Sequence, residues 1–249
     1  MNRRGPPPNY ADWYYFIKNY TWPLCGRFCK LAHMTHATSP QKHQPDYSRE
    51  ATLSLQFKGL VAGVDEAGRG PWAGPVVAAA VILDRHAIPT GLNDSKKLKE
   101  AQREQLFPLI CASSQVGVGI IGVEMIDRHN ILKATLDAMA EAVRNLPHPP
   151  AIALIDGNKC PPLDCPAKAL VKGDQLSLSI AAASIIAKVT RDRLMREIAL
   201  EHPHHGFERH KGYGTKAHQQ ALTEYGITPH HRRSFKPIRK IIEQAGSSS

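Results

Sequence analysis

The sequence predicts an α/β domain, a mixed sheet flanked by helices. Three observations carry that reading. Short β-branched apolar runs alternate with longer segments of helical period. Their order along the chain is β-β-α-β-α-β-loop-α, the pattern of a sheet covered by helices. One run, Ala151 to Ile155, is almost wholly apolar, as expected of a strand buried on both faces.

Leu60 to Val64 and Val76 to Leu83 are the first two strands, separated by the Gly and Pro cluster at 68–75 and read as antiparallel neighbours. Lys96 to Ile110 has helical period, with Asp94 or Ser95 available as its N-cap. Val116 to Val123 is the third strand, and Ile131 to Asn145 a second helix that Pro147 ends. Ala151 to Ile155 follows, then a Cys and Pro loop. Leu176 to Glu201, rich in Ala, Ile and Leu and stopped by Pro203, is the longest helix.

Before residue 58 the texture differs. An aromatic-rich start (Tyr10, Trp13, Tyr14, Tyr15, Phe16, Tyr20, Trp22, Phe28) has no period that would organise it, and Thr35 to Gly59 is polar and reads as a linker. Lys18, Asn19 and Arg27 interrupt any apolar run of a secretory signal. Two readings of this segment stand: an over-extended reading frame with Met34 as the start, or an N-terminal tail.

The chain has 249 residues, 42% hydrophobic and 22% charged, enough for a real core. No apolar run reaches the roughly 18 residues of a membrane span. Lys and Arg number 32 against 22 acids, a formal charge of +10. That balance suits an anionic partner and says nothing about fold. Cys25, Cys29, Cys111, Cys160 and Cys165 are odd in number and lack zinc-finger spacing, so ordinary thiols in a reducing cytoplasm are expected. The histidines at 202–210 and 230–231 are irregularly spaced, which favours packing and basic surface over a zinc site.

The acids say more. Asp65, followed by Glu66, comes directly after one apolar strand, and Asp156 ends another. Strand C-termini are where sites assemble in open α/β sheets, and clustered carboxylates are the hard oxygen ligands that Mg²⁺ prefers. Asp174, before the long helix, reads on its own as an N-cap. Asp192 reads as a solvated helix residue with local ion pairs, and Asp94 as a helix start.

The string Gly63-Val64-Asp65-Glu66-Ala67-Gly68-Arg69-Gly70-Pro71 resembles the signature of ribonuclease HII. Asn93 to Leu98, Ile155 to Asn158, Lys172-Gly173-Asp174, Ser179 to Asp192, His210 to Thr215 and His231 to Phe235 are similar to further blocks of that family, in the same order. Trp72 stands where a smaller aliphatic residue is common. The resemblance implies a ribonuclease H-like mixed five-stranded sheet flanked by helices, with a helical C-terminal segment. It divides the chain into an irregular extension (1–58), a catalytic domain (59–243) and a disordered tail (244–249).

It also implies a reaction: hydrolysis of the RNA strand of RNA/DNA hybrids, and nicking at a single ribonucleotide in duplex DNA, leaving 5′-phosphate and 3′-hydroxyl ends. Asp65, Glu66, Asp156 and Asp174 would be the catalytic acids holding two Mg²⁺ or Mn²⁺ ions, which replaces the capping role for Asp174. Asp65 would be the shared ligand, while Asp192 stays structural or outer-shell. Gly68, Arg69 and Gly70 would form a turn close to the ribose 2′-hydroxyl, and Tyr213 would pack on the sugar at the RNA-to-DNA junction. Lys96 and Lys172, with Lys97, Lys188, Arg191 and Lys211, would meet phosphates. A cytoplasmic monomer is expected. Contact with a sliding clamp or polymerase stays open, with no clear motif for it. Two other readings are a nuclease of the ribonuclease HIII type that needs a ribonucleotide stretch, and a hybrid-binding protein that does not cut.

Overall fold

The apolar runs pair into one five-stranded sheet: β1 (Val61–Ala67), β2 (Val76–Leu83), β3 (Ser114–Ile121), β4 (Ile152–Asp156) and β5 (Ala167–Leu170), in spatial order β3-β2-β1-β4-β5. This is a computed structural model, and it describes residues 44–246. β1, β2 and β3 pair antiparallel, while β4 and β5 run parallel to β1. The expected mixed sheet is therefore present. Its fifth strand is four residues long, follows Pro166 and is only half-buried at the sheet edge, so it carries no apolar run to announce it.

The helices are α1 (Ser48–Phe57), α2 (Glu100–Ser113), α3 (Val123–His129), α4 (Ile131–Arg144), α5 (Leu178–Glu201), α6 (Phe207–His210), α7 (Lys216–Tyr225) and α8 (Lys236–Gly246). Strand alternation divides the core between two faces. Ala62, Val64, Ala78, Ala80 and Ile155 pack with Ala134, Ala138, Met139 and Ala142 of α4. Val61, Ile152 and Leu154 face the other way, onto Ile180 of α5 and Leu53 of α1. Gly63 lies on this second face, and an added Cβ would sit 2.2 Å from the carbonyl carbon of Ser179. Its missing side chain lets the start of α5 lie directly on β1.

Three expectations are corrected. The α2 helix begins at Glu100 rather than Lys96, because Asp94 closes a turn first: its Oδ1 accepts from Lys96 N–H at 2.9 Å and its carbonyl from Lys97 N–H at 2.9 Å. α8 continues to Gly246, through the start of the expected tail. The described part of the polar segment before residue 59, from Gln44 on, contains α1 and is docked on the domain.

The anchor of α1 is Glu50, 1% exposed. Its carboxylate accepts from Ser177 Oγ at 2.6 Å, Ser179 N–H at 2.9 Å and Ser179 Oγ at 2.7 Å, while Ser177 caps α5. Arg49 donates to the Leu176 carbonyl at 2.8 Å. The polarity that looked like a linker is thus a polar seam against the first turn of α5, where a carboxylate is also favoured by the helix dipole. Glu50→Ala should cost about 1–3 kcal/mol by stranding those donors. A urea melt unchanged within error would contradict this. The aromatic start, Cys25, Cys29, Met34 and residues 247–249 lie outside the described residues.

Candidate active site

Asp65 and Asp156 are brought together by strand register. β1 and β4 run parallel with Val61 opposite Ile152 and Val64 opposite Ile155, so the next positions are the two aspartates. Alternation turns both toward the face that carries α5. Asp174 sits in a 3₁₀ turn (Gly173–Gln175) just before that helix, and Gly173 N–H donates to Asp156 Oδ1 at 2.6 Å. One carboxylate oxygen each from Asp65, Asp156 and Asp174 lie within 4.8 Å of one another.

Glu66 stands outside that trio. β1 continues to Ala67, so Glu66 alternates to the other side, and its Oε1 accepts from Arg69 Nη1 at 3.3 Å. It is close enough for its charge to act on Asp65. Sequence reasoning missed a fifth acid. Asp94, buried at 4% exposure, places its carboxylate against that of Asp174 and accepts from Gln175 Nε2 at 3.4 Å. Its signal was its position two residues before Lys96 in a matched block.

The acids repel one another. Burial, then the charges of Glu66 and Asp156, push the Asp65 carboxyl well above the usual range. Burial, Asp94 and Asp156 push Asp174 up to about 6. Burial likewise raises Glu66, against the opposing pull of Arg69. Lys96 Nζ is 3.9 Å from Asp174 Oδ2 on a side chain 81% exposed, a weak counterweight. Oxygen-only donors with unrelieved negative charge suit a hard divalent cation such as Mg²⁺ or Mn²⁺.

Beside the acids, Gly68 has φ +98°, a conformation costly for any other residue, and opens the Gly68-Arg69-Gly70 turn. Buried Arg232 holds it, and buried Arg191 fastens the segment that follows it. Arg232 donates to the carbonyls of Gly68 (2.6 Å), Arg69 (3.0 Å), Gly74 (2.8 Å) and Pro75 (3.2 Å). Arg191 donates to Pro75, Lys211 and Ala73 carbonyls at 2.9, 3.0 and 3.1 Å. Tyr213, 46% exposed, adjoins the turn: a Cβ on Gly70 would lie 3.7 Å from its Cε1. Trp72 fills the space that Gly214 leaves open and lies 5.7 Å from the His218 ring, which is how the larger residue is accommodated.

Lys96, Lys97 and Lys172 are exposed near the acids, as a phosphate-binding role requires. Arg191, Lys211 and Lys188 are not placed for one. Arg191 is spent on carbonyls, Lys211 is buried with its ammonium on the Glu208 carbonyl, and Lys188 pairs with Asp192 at 2.5 Å. Asp192 is ion-paired as expected but buried rather than solvated, since Arg103 also covers it at 3.9 Å. Cys111, Cys160 and Cys165 are free thiols.

Under Tyr213 lies a pair of buried histidines whose tautomers follow from their partners. His231 Nδ1 accepts from Thr228 N–H at 2.8 Å, so its Nε2 carries the proton and donates to His218 Nε2 at 2.9 Å. His218 must then donate from Nδ1 to the Tyr213 carbonyl at 3.0 Å. Burial depresses both, to about 4 for His218 and about 3 for His231, the latter also lowered by His218. Because the unfolded chain takes up protons first, this pair's contribution is present above about pH 6.5 and is lost as pH falls toward 3–4. Melting temperature against pH should therefore slope less steeply between 7 and 4 in His218→Gln. An equal slope would refute the assignment.

A profile of the family described as Ribonuclease HII matches residues 62–238. The chain belongs to the ribonuclease HII family. It is 54% identical over 218 residues to Ribonuclease HII of Ruegeria pomeroyi, covering 87% of this chain and 93% of that one. Among solved structures it resembles the ribonuclease H2 of Pyrococcus horikoshii OT3 (TM-score 0.64, 30% identity, 74% of this chain and 98% of that one). It also resembles the RNase HII of Archaeoglobus fulgidus, solved in complex with PCNA (TM-score 0.62, 29% identity, 71% and 95%). The sheet is thus a ribonuclease H fold, and the enzyme is a ribonuclease H, a hydrolase acting on RNA/DNA hybrids. Among the described residues, no helix is long and apolar enough to cross a membrane.

Proposed function

We propose that this ribonuclease HII cuts the RNA strand internally and also nicks duplex DNA at a single embedded ribonucleotide, leaving 5′-phosphate and 3′-hydroxyl ends. The observation that carries the proposal is the convergence of Asp65, Asp156 and Asp174 within 4.8 Å, next to a glycine turn bordered by Tyr213. These three, with Glu66 at their edge, would hold two Mg²⁺ or Mn²⁺ ions. Such ions supply an activated water and stabilise charge on the leaving 3′-oxygen.

The chain's own residues do the rest. Lys96 and Lys172 offer exposed ammonium groups to the backbone phosphates, so affinity should weaken with salt. The Gly68-Arg69-Gly70 turn is fixed by Arg232, and its main chain can approach a ribose closely enough to test for the 2′-hydroxyl. Tyr213 presents its ring beside that turn, where a sugar at the RNA-to-DNA junction would rest. The enzyme works as a cytoplasmic monomer in this reading. A sliding-clamp contact like that of the archaeal relative is assigned to no residue of this chain.

The test is cleavage of a labelled DNA duplex with one ribonucleotide, beside an all-DNA duplex and a long hybrid, in Mg²⁺, Mn²⁺ or EDTA. Metal-dependent nicking at the ribonucleotide is expected, slowed more by Tyr213→Ala than cutting of the long hybrid is. Cutting of the long hybrid alone would replace this reading with a ribonuclease HIII-like specificity. Binding without cutting of either would leave a hybrid-binding protein.

A further inference from the structure

The far end of α5 carries a second group of ligating side chains, unrelated to the carboxylate centre. Glu201 is the last residue of that helix and His202 follows it, while His230 comes from the segment after α7. One ligand atom from each of the three lies within 4.8 Å of the other two. Glu201 Oε2 is 3.6 Å from His230 Nε2, and the His202 and His230 rings meet edge-on with centroids 5.4 Å apart. A helix of 24 residues, rising about 1.5 Å per residue, separates this group from Asp174.

We propose that Glu201, His202 and His230 form a binding site for a zinc-class transition metal. Two imidazoles and one carboxylate, with a further position open to water, are a ligand set that zinc accepts. The softer nitrogen donors also distinguish it from the oxygen-only centre, which suits Mg²⁺ or Mn²⁺. Burial holds both imidazoles below their ordinary pKa, so they offer lone pairs at neutral pH without first losing a proton. The sequence spacing concealed this site because its third ligand arrives from a different segment.

Its place in the fold gives the metal a mechanical role. The His230 carbonyl accepts from Gly74 N–H at 2.9 Å, His231 forms a bridge with Ala73, and Arg232 fastens the substrate turn. A metal at His230 would therefore tie the end of α5 to the segment that holds the turn in shape, closing a loop between distant parts of the chain.

The full chain is titrated with Co²⁺ as a visible reporter, with Zn²⁺ as competitor. One equivalent should give the intense absorption of a low-coordinate nitrogen-ligated site, and Zn²⁺ should bleach it and raise the melting temperature. The signal should survive Asp65→Asn/Asp156→Asn and vanish in His202→Gln/His230→Gln, a variant whose fold is checked by circular dichroism. Glu201→Gln, exposed and safe for folding, should weaken binding by more than the roughly 10- to 100-fold that losing an outer-shell partner costs. Absence of the signal in the unaltered chain would overturn the site. So would a signal lost with the aspartates but kept without the histidines, which would place the ion at the carboxylates. An unchanged affinity in Glu201→Gln would show that the glutamate is only an ion-pair partner of His230 and overturn the three-ligand site.

Discussion

Asp65→Asn is expected to lower hybrid cleavage by on the order of a thousandfold and to raise the melting temperature of the metal-free protein at pH 8. Both effects have one cause. Asn keeps the shape and can still accept from Glu66 N–H, as Asp65 Oδ1 does at 2.7 Å, but it removes one of several buried, mutually repelling charges. With the folded-state carboxyls of Asp65 and Asp174 raised, the latter to about 6, the native protein holds more protons than the unfolded chain between roughly pH 4 and 6. These groups therefore destabilise the fold as pH rises through that window, and above it the full repulsion persists. Added Mn²⁺ should then raise the melting temperature of the unaltered enzyme more than that of the variant. A variant that cuts at the normal rate, or one that melts lower than its parent in EDTA, would refute the placement of Asp65 at the centre of the charge cluster. The opposing slope from His218 and His231 makes comparison at fixed pH necessary.

Arg232→Met should destabilise the enzyme by about 3–5 kcal/mol and abolish nicking at a single ribonucleotide. Arg232 is fully buried, and its guanidinium serves the carbonyls of Gly68, Arg69, Gly74 and Pro75 with its face on the Phe235 ring at 5.0 Å. Methionine fills similar length and supplies no donor, so four carbonyls, three of them on the buried residues Gly68, Gly74 and Pro75, lose a partner at once. Gly68 then has less to hold it at φ +98°. Arg232→Lys should recover only part of the stability, because an ammonium cannot reproduce the planar fork. Chemical denaturation gives the stability and cleavage of the one-ribonucleotide duplex gives the function. A loss under about 1 kcal/mol would show that the turn is held by other means.

The sheet was legible where strands are central and strongly apolar, as with Val76 to Leu83, and illegible at β5, whose half-exposed Ala167–Leu170 has no pattern of its own. Asp65 and Asp156 could be read from their positions at strand ends, because parallel register converts such positions into neighbours. Asp174 could not: an acid before a helix has a sufficient local explanation, and here Ser177 turns out to be the cap. Only the resemblance marked it. Arg191, which the resemblance placed among the phosphate contacts, is buried and holds main-chain carbonyls, as does Arg232, to which the sequence assigned no role. Net positive charge thus overstated the surface available to nucleic acid. Glu50 was invisible for the complementary reason, a polar stretch being equally compatible with solvent and with a buried seam.

The parallel pairing of β1 with β4 also fixes when in the life of the chain the enzyme can become active. Residues 65 and 156 are far apart in the chain, with two antiparallel strands and the α4 crossover between them, and residue 174 comes later still. Closing so long a loop costs entropy that local contacts cannot repay early, so this pairing belongs to the late, slow part of folding. A nascent or half-folded chain can therefore carry every acid of the centre and still be harmless to the hybrids around it.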